Sequence, residues 1–289
     1  MARSSVPHPD IEELGRRLVD RVDAVLRAVD RVVDGSRGSP TTLHLLHRDL
    51  RRLRVGIAVW RRAGPRRRAA PLREFDRRLK RLARLVGGVR DRDVALGLLR
   101  SAAPTLSADE RREFAALRRH LGTEARIGRT LLRAALRRER DLGLFEGIRE
   151  AFASVPAHRR SGDALRYLAQ LRAEGEAALR AAGRKARRRP TSRRLHRLRI
   201  EVRGWRQLGA LAAAIAPAVG ADDPRLRTLQ AELGRLHDLD VTGLLAADEA
   251  PAPVVRVLHR AQRRARRRLV RTLRADLAAP FGEGTAAAA

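Results

Sequence analysis

Residues 195–206 read Leu-His-Arg-Leu-Arg-Ile-Glu-Val-Arg-Gly-Trp-Arg, and residues 43–54 read Leu-His-Leu-Leu-His-Arg-Asp-Leu-Arg-Arg-Leu-Arg. His196, Arg199, Arg203 and Arg206 stand at i, i+3, i+7 and i+10, and His44, His47, Arg51 and Arg54 repeat that spacing. At about 100° per helical residue, four such positions fall within about 80° of one another. Each set is one stripe, about 15 Å long at the helical rise, made only of imidazole and guanidinium groups. A stripe of cationic donors fits an extended polyanion, and two copies predict two stripes facing a shared groove. The opposite side of each segment is apolar: Leu43, Leu46, Leu50, Leu53, Ile57 and Trp60 in one, and Leu195, Leu198, Val202, Trp205 and Gly209 in the other. That side is read as core. The basic side must face solvent or a water-filled groove, because unpaired guanidinium groups are not buried.

Outward from these segments the two halves of the 289-residue chain continue to match. Leu50-Arg51-Arg52-Leu53-Arg54 aligns with Val202-Arg203-Gly204-Trp205-Arg206 at an offset of 152 residues. Gly87-Gly88-Val89-Arg90-Asp91-Arg92-Asp93-Val94 aligns with Gly234-Arg235-Leu236-His237-Asp238-Leu239-Asp240-Val241 at an offset of 147. The difference is the size of a loop change, so the chain reads as a duplicated four-helix unit. Helix-period apolar patterns broken by Pro and Gly clusters predict helices at about 9–34, 41–63, 71–101, 107–138, 161–188, 191–216, 223–247 and 252–279. Strand signals are almost absent. The expected organisation is a first four-helix repeat at 9–138, a linker with a short helix at 139–160, a second repeat at 161–279, and a disordered tail at 280–289. The fold class is all-α: two antiparallel four-helix bundles, pseudo-two-fold related, with a basic groove or channel between them.

Net charge is +31, and of 64 basic residues only Lys80 and Lys185 are lysine. Codon bias accounts for arginine in place of lysine. It does not account for keeping a charge excess that opposes compaction. Arginine presents a planar fork that grips phosphate bidentately, so a polyanionic partner is expected. With no cysteine, disulfides and thiolate zinc sites are excluded. Met1–Asp10 carries no apolar stretch resembling a signal peptide, and no segment approaches the length of uncharged apolar residues in a membrane span. The expectation is a cytoplasmic protein with no membrane partner and no cofactor.

These residues resemble the CHAD (conserved histidine α-helical domain) family, whose hallmark is a histidine followed by arginines down one helix face in each of two four-helix halves. The segments beginning Leu195-His196 and Leu43-His44 carry the first signature, and Arg90-Asp91-Arg92-Asp93-Val94 and His237-Asp238-Leu239-Asp240-Val241 are similar to the family's third-helix signature. The resemblance runs from about 9 to 279. At two places the chain departs: His47 stands where the family has arginine, and Gly204 stands opposite Arg52. The resemblance implies binding of inorganic polyphosphate in a basic channel where the bundles meet, association with polyphosphate granules, and a link to polyphosphate-metabolising enzymes. Carried over by position, and with His47 added for its place on the stripe, the site is His44, His47, Arg51, Arg52, Arg54, His196, Arg199, Arg203 and Arg206. Arg48, Arg90, His237, Arg263 and Arg266 are secondary candidates. Neighbouring phosphates should favour protonation of His47.

Three other readings compete. Asp91, Asp93, Asp238 and Asp240 suggest a metal, yet in so basic a chain they are expected to pair with arginines of adjacent helices. His237-Asp238 is similar to the paired ligands of helical, metal-dependent HD-type phosphohydrolases, but its counterpart Arg90 cannot ligate a metal, so the chain is read as non-catalytic. General nucleic-acid binding follows from charge alone at low salt. Against it, both tryptophans lie on the apolar stripes, leaving no stacking platform among the basic residues.

Overall fold

The structure, a computed structural model, describes residues 11–35, 39–63, 69–102, 106–153, 163–215, 223–247 and 249–276. Among the described residues it is all helix: α1 (Ile11–Val33), α2 (Pro40–Ala63), α3 (Ala69–Ala102), α4 (Ala108–Asp141), α5 (Leu144–Ala153), α6 (Asp163–Arg188), α7 (Ser192–Ile215), α8 (Pro224–Ala246) and α9 (Ala252–Asp276). The tail expected at 280–289 lies outside the described residues.

Local chemistry sets the helix ends. Ser107 and Glu110 form a capping box that starts α4, each side chain bonding the other's backbone N–H. Asp223 caps α8, with Pro224 at the first helical position. Ser39 Oγ accepts from the Thr42 backbone N–H to open α2. Gly143 turns the chain between α4 and α5 at φ 63°, a conformation that favours glycine.

In the first half α1 packs on α2, α2 on α3 and α3 on α4, and α1 closes against α4. The second half repeats this order with α6, α7, α8 and α9. Across the halves, α2 meets α7 and α3 meets α8, while α1–α7 contact is matched by α2–α6 contact. These are the pairings that exchange of α1–α4 with α6–α9 about a two-fold would produce. Glycine permits a close approach of α1 and α2: a Cβ on Gly56 would run into Leu18, and that fully buried side chain would have to shift.

The halves share their cores. Leu208, Leu211 and Ile215 of α7 and Leu168 of α6 belong to the first half's apolar cluster. At the far end Leu99, Phe114, Leu117 and Leu121 of α3 and α4 join Val254 and Leu258 of α9 in a separate cluster. Each fully buried leucine of this kind contributes about 1.5–3 kcal/mol, so the halves are held together by apolar burial at two places. The short helix expected between them is α5, which does more than link. Its Leu144, Phe145, Ile148 and Phe152 are buried against α1 and the rest of the first core, and Trp60 Nε1 donates to the Ala151 carbonyl at 3.0 Å.

Candidate polyanion-binding groove

The basic faces of α2 and α7 meet because, along the stripes, their opposite faces are buried in different apolar clusters. Leu43, Leu46, Leu50, Leu53 and Ile57 are buried in the first, and Leu195, Leu198 and Val202 in the second. A cavity of about 580 Å³ opens between them, with α3 and α8 completing its wall. It is lined by Arg48, Arg51 and Arg52 of α2, Arg90 of α3, and Arg199, Arg203 and Arg206 of α7, together with His44 and His47. Seven arginines therefore face a single lining carboxylate, Asp238.

That imbalance registers in the charges. Burial, followed by the neighbouring Arg203, Arg199 and Arg90, pulls the Arg51 guanidinium down to about 9. Burial and Arg203 pull Arg199 down to about 10. Arg203 is lowered by burial and then by Arg54 and Arg90. All three stay charged at neutral pH, held at mutual repulsion from opposite halves. Asp238 relieves part of this by pairing with Arg90 at 3.5 Å, tying α8 to α3. Burial nevertheless raises the pKa of Asp238, and that of Asp91.

The aspartates behave as charge partners. Asp93 pairs with Arg129, Asp91 and Asp238 share Arg90, and Gln262 bonds the Asp240 carboxylate at 3.5 Å. No group of three or more His, Cys, Asp or Glu side chains suited to holding a metal occurs among the described residues.

Several expected site residues are placed differently. Arg54 does not line the cavity; its Nε donates to Asp76 Oδ1 at 2.7 Å, so a carboxylate of α3 neutralises it. His47 lines the cavity but is only 5% exposed, and burial followed by Arg51 and Arg90 depresses its pKa to about 3. It is a neutral imidazole lying against Gly87, where an added Cβ would stand 3.4 Å from Cε1. The phosphates expected from the sequence to favour protonation of His47 would act against this burial and the neighbouring arginines. His44 and His196 are lowered as well, by burial first and then by nearby arginines. The groove's positive charge is thus carried by arginine alone.

His196 and His237 lie off the main cavity. Their rings are 5.8 Å apart, and both line a second cavity of about 320 Å³ between α7 and α8, reached past Arg199, which lines both spaces. Arg263 and Arg266 lie on α9, outside the groove; Arg266 donates to Ser192 Oγ at 2.6 Å. Trp205 was read as core alone and is buried, yet it also borders the groove, its ring covered by the Arg172 guanidinium at 4.6 Å. Gln207 and Gln230, which also line the groove, carry no signal in the sequence pattern; Gln230 Oε1 accepts from Arg206 at 2.8 Å.

Residues 16–247 match the CHAD domain. The chain belongs to the CHAD family. No curated protein matches the chain in sequence. Among solved structures, the crystal structure of the CHAD domain from the plant Ricinus communis superposes with a TM-score of 0.70 at 21% identity, covering 96% of each chain. PptA from Streptomyces chartreusis superposes with a TM-score of 0.61 at 17% identity, covering 92% of this chain and 96% of its own. At these identities the likeness is one of fold. No described helix is long and apolar enough to cross a membrane.

Proposed function

We propose that this CHAD protein binds long-chain inorganic polyphosphate, without catalysis, in the arginine groove between its halves, and that this binding targets it to polyphosphate granules in the cytoplasm. The supporting observation is the convergence of seven arginines from three helices on one cavity with one lining carboxylate. Polyphosphate carries charge at every unit and no bases, so charge and donor geometry suffice to hold it. Arginines a helical turn apart can each take a different phosphate as a fork. Neutral histidines add donors without adding repulsion.

Partner class is tested by competition. At equal phosphate concentration and about 150 mM salt, where diffuse surface charge is screened within about 8 Å, long polyphosphate should displace a labelled polyphosphate probe while duplex DNA does not. Equal or better displacement by DNA would assign the groove to nucleic acid. Heparin and RNA in the same assay separate polyphosphate recognition from general polyanion binding.

A further inference from the structure

Resting on the groove as the primary site, we infer that α9 carries a second polyanion stripe, which takes up the part of a long polyphosphate chain that runs beyond the groove. Arg256, Arg260, Arg263, Arg267, Arg271 and Arg274 are all exposed and fall within about 80° on the helix. That is the angular width of the groove stripes, but the line is about 27 Å long against about 15 Å. The opposite face of α9 is committed to the body of the protein through Val254, Leu258, Leu269 and Leu273, all buried.

The usual account of such a run is a solvated face, and it fits α9 poorly. A solvated face carries both signs: α4 sets its arginines among Asp109, Glu110, Glu113, Glu124, Glu139 and Asp141. Between Ala252 and Asp276, α9 has nine arginines and one acid, Asp276 at its end. Among the described residues none of the six stripe arginines meets a carboxylate. Arg256–Arg260, Arg263–Arg267 and Arg267–Arg271 are like charges four apart, which oppose one another on a helix. An external polyanion relieves that repulsion.

The stripe is also joined to the groove. Arg199 lines both the main cavity and the His196–His237 cavity, and the wall of the latter includes Ser192 and Asp240. Arg266 donates to Ser192 Oγ and faces Asp240, so α9 borders that second cavity. Arg266 sits on the flank of α9 adjoining Arg263. A chain leaving the groove past Arg199 therefore meets Ser192 and the flank of α9 at Arg266, next to the stripe. This continuity favours a further length of the same polyanion over a separate nucleic-acid site.

The experiment measures binding of a short oligophosphate, no longer than the groove stripes, of polyphosphate several times longer, and of duplex DNA. The proteins are the wild type, an α9 variant (Arg260→Gln, Arg263→Gln, Arg267→Gln, Arg271→Gln) and a control on α4 (Arg111→Gln, Arg119→Gln, Arg126→Gln, Arg137→Gln), with helicity checked by circular dichroism. The α9 variant should lose about tenfold in affinity for the long chain, with a log K against log salt slope shallower by about 3. Its short-chain affinity should stay within about twofold, and the α4 control should differ little from wild type in either. Equal long-chain loss in both variants would reduce the stripe to bulk charge and overturn the inference, as would an α9 variant indistinguishable from wild type. A loss confined to duplex DNA would make the stripe a nucleic-acid site and also overturn it. Failure of the wild type to bind the short chain would instead contradict the groove itself.

Discussion

The stripes on α2 and α7 have the same spacing and the same orientation over their cores, yet they deliver different charge to the groove. On α7, Arg199, Arg203 and Arg206 all line the cavity, and Arg206 donates to the neutral Gln230. On α2, the equivalent positions supply only Arg51, because His47 is buried and neutral and Arg54 is tied to Asp76. Arg48 and Arg52, off the strict register, restore part of the loss, though both lie near Asp49, which bonds Arg48 at 3.0 Å. Repetition of a pattern fixes where side chains point. What they contribute is set by what the adjacent helix places against them.

The comparison breaks first at single arginines. Arg51→Ala and Arg203→Ala should each weaken polyphosphate binding by about ten- to a hundredfold, the value of one charge-assisted contact of about 1.5–3 kcal/mol. Arg54→Ala should weaken it less than about threefold, since Asp76 already satisfies it. Titration of the three purified proteins decides this, and an Arg54 effect as large as that of Arg51 would mean that Asp76 yields its partner to the ligand.

A substitution can make the halves more alike. Gly204 stands where α2 has Arg52, and a Cβ there meets nothing within 4 Å. Gly204→Arg should tighten polyphosphate binding about fivefold and also stabilise α7, by about 0.5–1 kcal/mol, through removal of a helix-interior glycine. Raised thermal stability without tighter binding would show that position 204 does not overlook the ligand.

The smallest expected effect concerns His47. Its folded pKa of about 3 lies below the ordinary imidazole value of about 6.5, so between those limits the unfolded chain binds a proton that the folded chain refuses. Stability should therefore fall as pH drops from about 6.5 towards 3, with a slope from this group of at most about 1.4 kcal/mol per pH unit. His237, depressed to about 4, adds to the slope over a narrower window. Denaturant unfolding of His47→Leu across that range should give a shallower dependence than the wild type. An unchanged dependence would mean that His47 is not the buried neutral group described.

Much of this was legible in the sequence. Pattern and punctuation predicted α3 at 71–101 and α4 at 107–138 against Ala69–Ala102 and Ala108–Asp141, because Pro and Gly clusters bound strong apolar periods. The His/Arg stripes and the pairing of aspartates with arginines were readable because helical spacing fixes faces and excess positive charge leaves few carboxylates unclaimed. Arg54–Asp76 was not readable: it joins residues 22 apart through the packing angle of α2 on α3. Burial of His47 was equally hidden, since it depends on how α2 packs against α3 beside Gly87. Of the α9 arginines the sequence singled out only Arg263 and Arg266; the exposed line of six and the bond from Arg266 to Ser192 beside the second cavity depend on how α9 docks.

The central claim is that geometry, and not net charge, makes the groove the binding site. Two variants remove the same formal charge: Arg199→Ala, Arg203→Ala and Arg206→Ala from the groove face of α7, and Arg187→Ala, Arg188→Ala and Arg189→Ala from the chain just before it. The buried Leu198, Val202 and Trp205 are untouched in the first, so the helix core is retained. Isothermal titration with long polyphosphate at about 150 mM salt should show loss of at least about a hundredfold for the groove variant. The 187–189 variant should lose less than about threefold, its charge being screened within about 8 Å. Equal affinities for the two folded variants would contradict the account.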